Sequence, residues 1–162
     1  MKTIALLLAL ATPLAAQETV THELVTMTLP AGWTVQPKPV GAEAEYVAAL
    51  QASNKAVNVI VTAADYGSLK DAAARGAAMI QAALPGAVAD TVFYEVQADN
   101  GDKVRIQSFT ATVQYGGKDV PVAAMLAVTV NSKRGVIAQV YFAPQFAALA
   151  GREFGQLVRS FR

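Results

Sequence analysis

The sequence holds one histidine, His22, and no cysteine. A zinc site takes about three or four ligands, and His22 has neither a second histidine nor a local acidic cluster to complete one. It reads as an ordinary surface residue. The lack of cysteine removes disulfides, thiolate ligands and thiol nucleophiles together. Glu43 with Glu45, and Asp99 with Asp102, are spaced closely enough to act as paired carboxylates, which acid–base or glycosidase chemistry uses when burial separates their pKa values. Both pairs fall in loops or turns, where solvated carboxylates are the ordinary outcome. The run Asp99-Asn100-Gly101-Asp102 carries too few oxygen ligands for a calcium loop. No Gly-x-Ser-x-Gly elbow and no phosphate-binding glycine pattern occurs. The expectation is a protein that is not an enzyme and takes no cofactor or metal. A hydrolase built from carboxylates remote in sequence is the least favoured alternative.

Binding chemistry has more candidates. Trp33, Tyr46, Tyr66, Tyr94, Tyr115 and Tyr141 could offer a stacking surface, since large aromatics with a polar tip suit interfaces, although core packing accounts for most of them. Trp33 follows a Pro30-Ala31-Gly32 turn that returns it toward the body of the protein, so it either plugs the end of the core or anchors a ligand. Lys133 and Arg134 sit at a hairpin tip and, with Arg152, Arg159 and Arg162, could form a basic patch for an acidic partner or an anionic membrane surface. The plainer reading is a solvated tip that also protects an edge. Trp33, Lys133 and Arg134 are therefore the candidate ligand or partner contacts.

Composition bounds what could position these residues. The chain of 162 residues is one domain's worth of sequence. Lys2 precedes an apolar run over 4–14 that ends in Ala15 and Ala16, the pattern of a signal peptide over residues 1–16. That run is shorter than the roughly 20 residues a transmembrane helix needs, and no later stretch is long enough. No cysteine follows it to carry a lipid, so a free periplasmic or secreted form is expected. Without Lys2 the 13 basic residues become 12, against 12 acidic ones. This near-neutral balance lacks the excess positive charge that nucleic-acid binding uses.

Along 17–162, a single domain, residues 17–21 read as a loose terminus, 24–29 as a strand, and 36–43 as a proline-bearing loop. Apolar runs at 46–50 and 57–63, separated by Ser53-Asn54-Lys55, predict a hairpin. Ser68 and Asp71 mark a helix start, and Leu69, Ala73, Gly76, Ile80, Ala83 and Leu84 form its apolar stripe before Pro85-Gly86. The stripe is mostly small, which predicts a helix lying close to a sheet. Strands over 91–97, 104–115, 120–130 and 136–142 follow as an antiparallel meander, with turn residues between them. The strand over 120–130 is apolar on both faces and is expected at the centre. Pro144 opens a final helix with Phe146, Ala150, Phe154, Leu157 and Phe161 on one face.

The early strand running into Leu29-Pro30-Ala31-Gly32-Trp33, and the closing run from Phe154 to Arg162, resemble the N-terminal turn and last helix of the PsbP/DcrB-like α/β/α sandwich family. The intervening helix and meander come in similar order. The resemblance implies an α+β fold in which an antiparallel sheet of about six to seven strands carries two main helices. It also implies a non-enzymatic accessory or binding role, because members of that fold serve unrelated partners. The partner expected here is another envelope protein, with a small apolar ligand held near Trp33 as the alternative.

Overall fold

In a computed structural model, residues 17–38, 45–131 and 134–162 are described. The signal-peptide reading over residues 1–16, together with Glu43 and Lys133, lies outside them. The first element corrects the loose-terminus reading of residues 17–21. β1 (Thr19–His22) pairs antiparallel with β2 (Val25–Thr28) as a two-stranded sheet of its own. Val25 and Met27 alternate inward while Thr26 and Thr28 stay half-buried, so this hairpin has one apolar face to bury.

The main sheet has seven strands, all antiparallel, in the order β3 (Thr34–Gln36), β4 (Tyr46–Gln51), β5 (Val57–Ala64), β9 (Arg134–Phe142), β8 (Lys118–Asn131), β7 (Lys103–Tyr115), β6 (Val88–Gln97). The meander runs from β6 to β9 and then turns its last strand back against β5, joining the two halves of the chain. Gly116 and Gly117 close the β7–β8 hairpin, both at positive φ as a two-residue turn matched to strand twist requires.

The two helices cover opposite faces. α1 (Leu69–Ala83) is alanine-rich and starts at Ser68, whose hydroxyl accepts from the Asp71 amide at 3.1 Å. It lies over β8 and β9, burying Ala72, Gly76 and Ile80 against Phe109, Leu126 and Ile137. Ala72 takes the buried place that the spacing gave to Ala73, and Ala83 is exposed. The close approach depends on Gly76, because a Cβ there would overlap the Leu126 methyls.

On the other face, a single 3-10 turn (Pro144–Phe146) leads into α2 (Ala147–Arg159), which buries Ala150, Phe154, Leu157 and Val158. Together with the β1–β2 hairpin and Trp33, this helix closes a core over Val59, Val61, Ala138 and Val140. Burying side chains such as Phe154 and Leu157 stabilises by about 1.5–3 kcal/mol each. β8 lies inside the sheet, with Leu126 and Val128 toward α1 and Ala127 toward the α2 side.

Candidate functional surface

Trp33 is buried at 4% exposure, and its indole Nε1 donates to Glu153 Oε2 at 2.7 Å. The ring therefore stands in a filled part of the core and presents no stacking face. The tyrosines divide by place. Tyr46 and Tyr66 are half-buried, Tyr141 is tucked beside Gln139, and Tyr94 and Tyr115 are exposed.

Arg134 opens β9 and lines a pocket of about 10 Å³, room for one water, with Asp102, Thr129 and Asn131. Asp102 Oδ2 accepts from Asn100 at 2.9 Å and from Asn131 at 3.2 Å, so this carboxylate ties the β6–β7 turn to the end of β8. Asp99 instead lines a separate polar cleft of about 290 Å³ with Gln156, Ser160 and Arg162. The closely spaced pair thus faces two different clefts.

Glu45 joins a different group. Its carboxylate accepts from Tyr66 Oη at 3.1 Å and lies 3.5 Å from Arg75 Nε. The Tyr66 phenol is raised above its ordinary value, chiefly by burial, with the Glu45 carboxylate adding to the effect. Gly135 gives the Tyr66 ring its place, since a Cβ on Gly135 would overlap that ring. His22 Nδ1 accepts from the Leu24 amide at 3.4 Å within the first hairpin. Among the described residues, no group of three or more His, Asp or Glu side chains converges on a metal-sized space.

The large apolar side chains left in solvent gather on one strand. Among the described residues, β6 carries Val88, Val92, Phe93 and Tyr94 at 67, 50, 40 and 56% exposure. Val35 on β3 and Tyr115 at the β7–β8 tip complete that set. β6 is the outermost strand of its side of the sheet, and all but one of its ten residues are exposed. Its ladder with β7 shifts register between Ala89 and Phe93, where Asp90 Oδ1 accepts from the Val92 amide at 3.1 Å and Gln107 donates to the Asp90 carbonyl at 2.8 Å. From Phe93 to Gln97 the pairing is regular. Arg105, directly opposite Glu95, lays its guanidinium 3.4 Å from the Phe93 ring centre. Beside Val88, an open groove of about 450 Å³ runs past Val122 and Pro144.

Reading residues alone placed a strand over 91–97, where β6 begins at Val88, and singled out Tyr94 as one aromatic among six, but passed over Asp90, Val92 and Glu95. The signal present was a strand with apolar residues on both faces and no lysine, arginine or proline in it. What it lacked was the sheet order, which depends on β9 choosing β5.

An antiparallel seven-stranded sheet with one helix on one face, and a second helix with a small hairpin on the other, defines a PsbP-like α+β sandwich. The chain is similar to cyanobacterial PsbP (CyanoP) from Synechocystis sp. PCC 6803, at 15% identity and a TM-score of 0.63, over 94% of this chain and 95% of that one. It is also similar to a protein of Bacteroides thetaiotaomicron, at 10% identity and a TM-score of 0.57, over 86% of this chain and 44% of that longer one. No family model matches the chain, and no curated protein does. These likenesses establish the fold. No helix among the described residues is long and apolar enough to cross a membrane.

Proposed function

We propose that this is a non-enzymatic binding or accessory protein of the cell envelope, acting through contact with another envelope protein. The observation that carries this reading is the concentration of exposed apolar side chains on β6. Val88, Val92, Phe93 and Tyr94 concentrate exposed apolar surface on one open strand, with Phe93 on the face opposite Val92 and Tyr94, and concentrations of this kind mark interaction sites, whereas scattered residues need no explanation. The PsbP-like fold adds support by analogy of fold alone. The apolar run over residues 4–14 supports export to the periplasm or beyond. A small-ligand carrier draws less support, because Trp33 is enclosed by packing and the groove of about 450 Å³ beside Val88 lies open at the surface.

A photo-crosslinking residue placed at Tyr94, with a second placed at Ala78 on the outer side of α1, tests this in cells. The expected result is a discrete envelope-protein adduct from Tyr94 and none from Ala78. Equal capture from both positions, or capture from neither, would remove the support for a partner at β6.

A further inference from the structure

The two edges of the main sheet are built differently. β3, the edge on one side, is three residues long and is followed at once by Pro37. Shortness and proline are common means of blunting an edge. β6, the other edge, is ten residues long and contains no lysine, arginine or proline. Its protective features are the register shift at 90–92 and the two acidic side chains, Asp90 and Glu95, and among the described residues 93–97 is a regular strand with no neighbour on its outer side. A row of unpaired backbone donors and acceptors flanked by Val92, Phe93 and Tyr94 is a template for another strand.

The charges on β6 specify what that strand carries. Its side chains charged at neutral pH are Asp90 and Glu95, both exposed and both acidic. Arg105, the cation placed across from Glu95, makes no ion pair with it, because the guanidinium lies against the Phe93 ring and its Nε is buried without a hydrogen-bond partner. Two carboxylates about five residues apart therefore stand along an apolar edge without an ion pair to Arg105. Opposite charges across a strand pair are favourable and like charges are not. A second copy of this chain would set four carboxylates along the joint with no base between them. We infer that the β6 edge takes up, by strand addition, an extended segment of a partner protein in which apolar residues alternate with lysine or arginine placed to meet Asp90 and Glu95. This rests on the partner-binding reading above and names the chemistry of that partner.

The test uses the purified full chain and two acetylated, amidated nine-residue peptides, Lys-Val-Thr-Val-Lys-Val-Thr-Val-Lys and the same peptide with Glu at each Lys. The basic peptide is expected to bind at least tenfold more tightly, with amide shifts and slowed hydrogen exchange confined to 92–97 and β7. The double variant Asp90→Asn, Glu95→Lys keeps an acceptor for the Val92 amide while reversing the edge charge, and it is expected to abolish or invert that preference. Unchanged Trp33 fluorescence would show that the variant is folded. Equal binding of both peptides, shifts elsewhere, no binding to millimolar peptide, or a β6-mediated dimer in sedimentation would each overturn the inference. If Tyr94 captures an envelope protein equally well in the double variant, strand addition fails while the partner reading stands. If no position captures a partner yet the peptide binds β6, the envelope reading fails and the edge chemistry stands.

Discussion

The indole N–H of Trp33 and the carboxylate of Glu153 meet at 2.7 Å across 120 positions of sequence, joining the turn before β3 to the middle of α2. Glu153 is partly shielded, so this is a charge-assisted bond outside bulk water, worth about 1.5–3 kcal/mol. Trp33→Phe removes the donor and part of the ring volume, and we expect it to lower unfolding free energy by about 2–4 kcal/mol. Glu153→Gln keeps an acceptor and is expected to cost about 1 kcal/mol. Urea titrations followed by far-UV circular dichroism would measure both, and the native Trp fluorescence offers a second probe for Glu153→Gln.

Gly76 decides how closely α1 lies on the sheet. Alanine would gain about 1 kcal/mol in helix propensity, yet its methyl has to displace Leu126 and crowd Ile137. Overpacking of that kind costs about 1–3 kcal/mol, so a net loss is expected. Gly76→Ala combined with Leu126→Val should recover stability relative to Gly76→Ala alone. Thermal melts of the two variants would show whether space is the limiting factor.

Tyr141 lies beside the β9 residue Gln139, and burial pushes its phenol up to about 12. Below about pH 9 the group is neutral in both folded and unfolded chains. Between 10 and about 12 the unfolded phenol ionises while the folded one holds its proton, so the unfolded state binds fewer protons and stability falls as pH rises. The raised phenol of Tyr66 acts in the same direction. Absorbance titration at phenolate wavelengths should show a late-ionising component that shrinks in Tyr141→Phe, leaving the contribution of Tyr66. If that variant titrates as the parent does, the assignment is wrong.

Gln139 is buried, accepts from Tyr141 Oη at 2.7 Å, and has no partner for its Nε2. Tyr141→Phe alone leaves both ends of the buried amide without a partner and is expected to cost about 1–2 kcal/mol. Replacing both residues, Gln139→Met with Tyr141→Phe, removes the unsatisfied group as well and should be at least as stable as the parent. A double-mutant cycle in urea would read the coupling between them.

How much of this was legible in the residues depended on how local each signal was. Ser68, Asp71 and Pro85-Gly86 bracketed α1 because caps and breakers act within one turn, and the glycines at 116 and 117 placed a hairpin for the same reason. The PsbP-like sandwich was legible from the order of such elements together with the Pro30-Ala31-Gly32-Trp33 turn. Residues 17–21 were misjudged because β1 has little apolar character of its own and is held by pairing with β2. The β6 surface was out of reach because an edge is defined by which strands lie elsewhere. Whether Asp99 and Asp102 converge is likewise settled by the turn that points them into different clefts.

The hairpin core carries a consequence for timing. Thr26 and Arg162 exchange both backbone hydrogen bonds at 3.0 Å, and Ser160 Oγ accepts from the Thr28 amide across 132 positions. Contacts that span so much chain form slowly, whereas the consecutive hairpins from β6 to β9 need only short loop closures. During synthesis, Val25 and Met27 must wait, bare, for Phe154 and Leu157 to emerge. The meander is then the natural nucleus, and the β1–β2 flap is the portion most exposed to proteases or holding chaperones until the chain is finished.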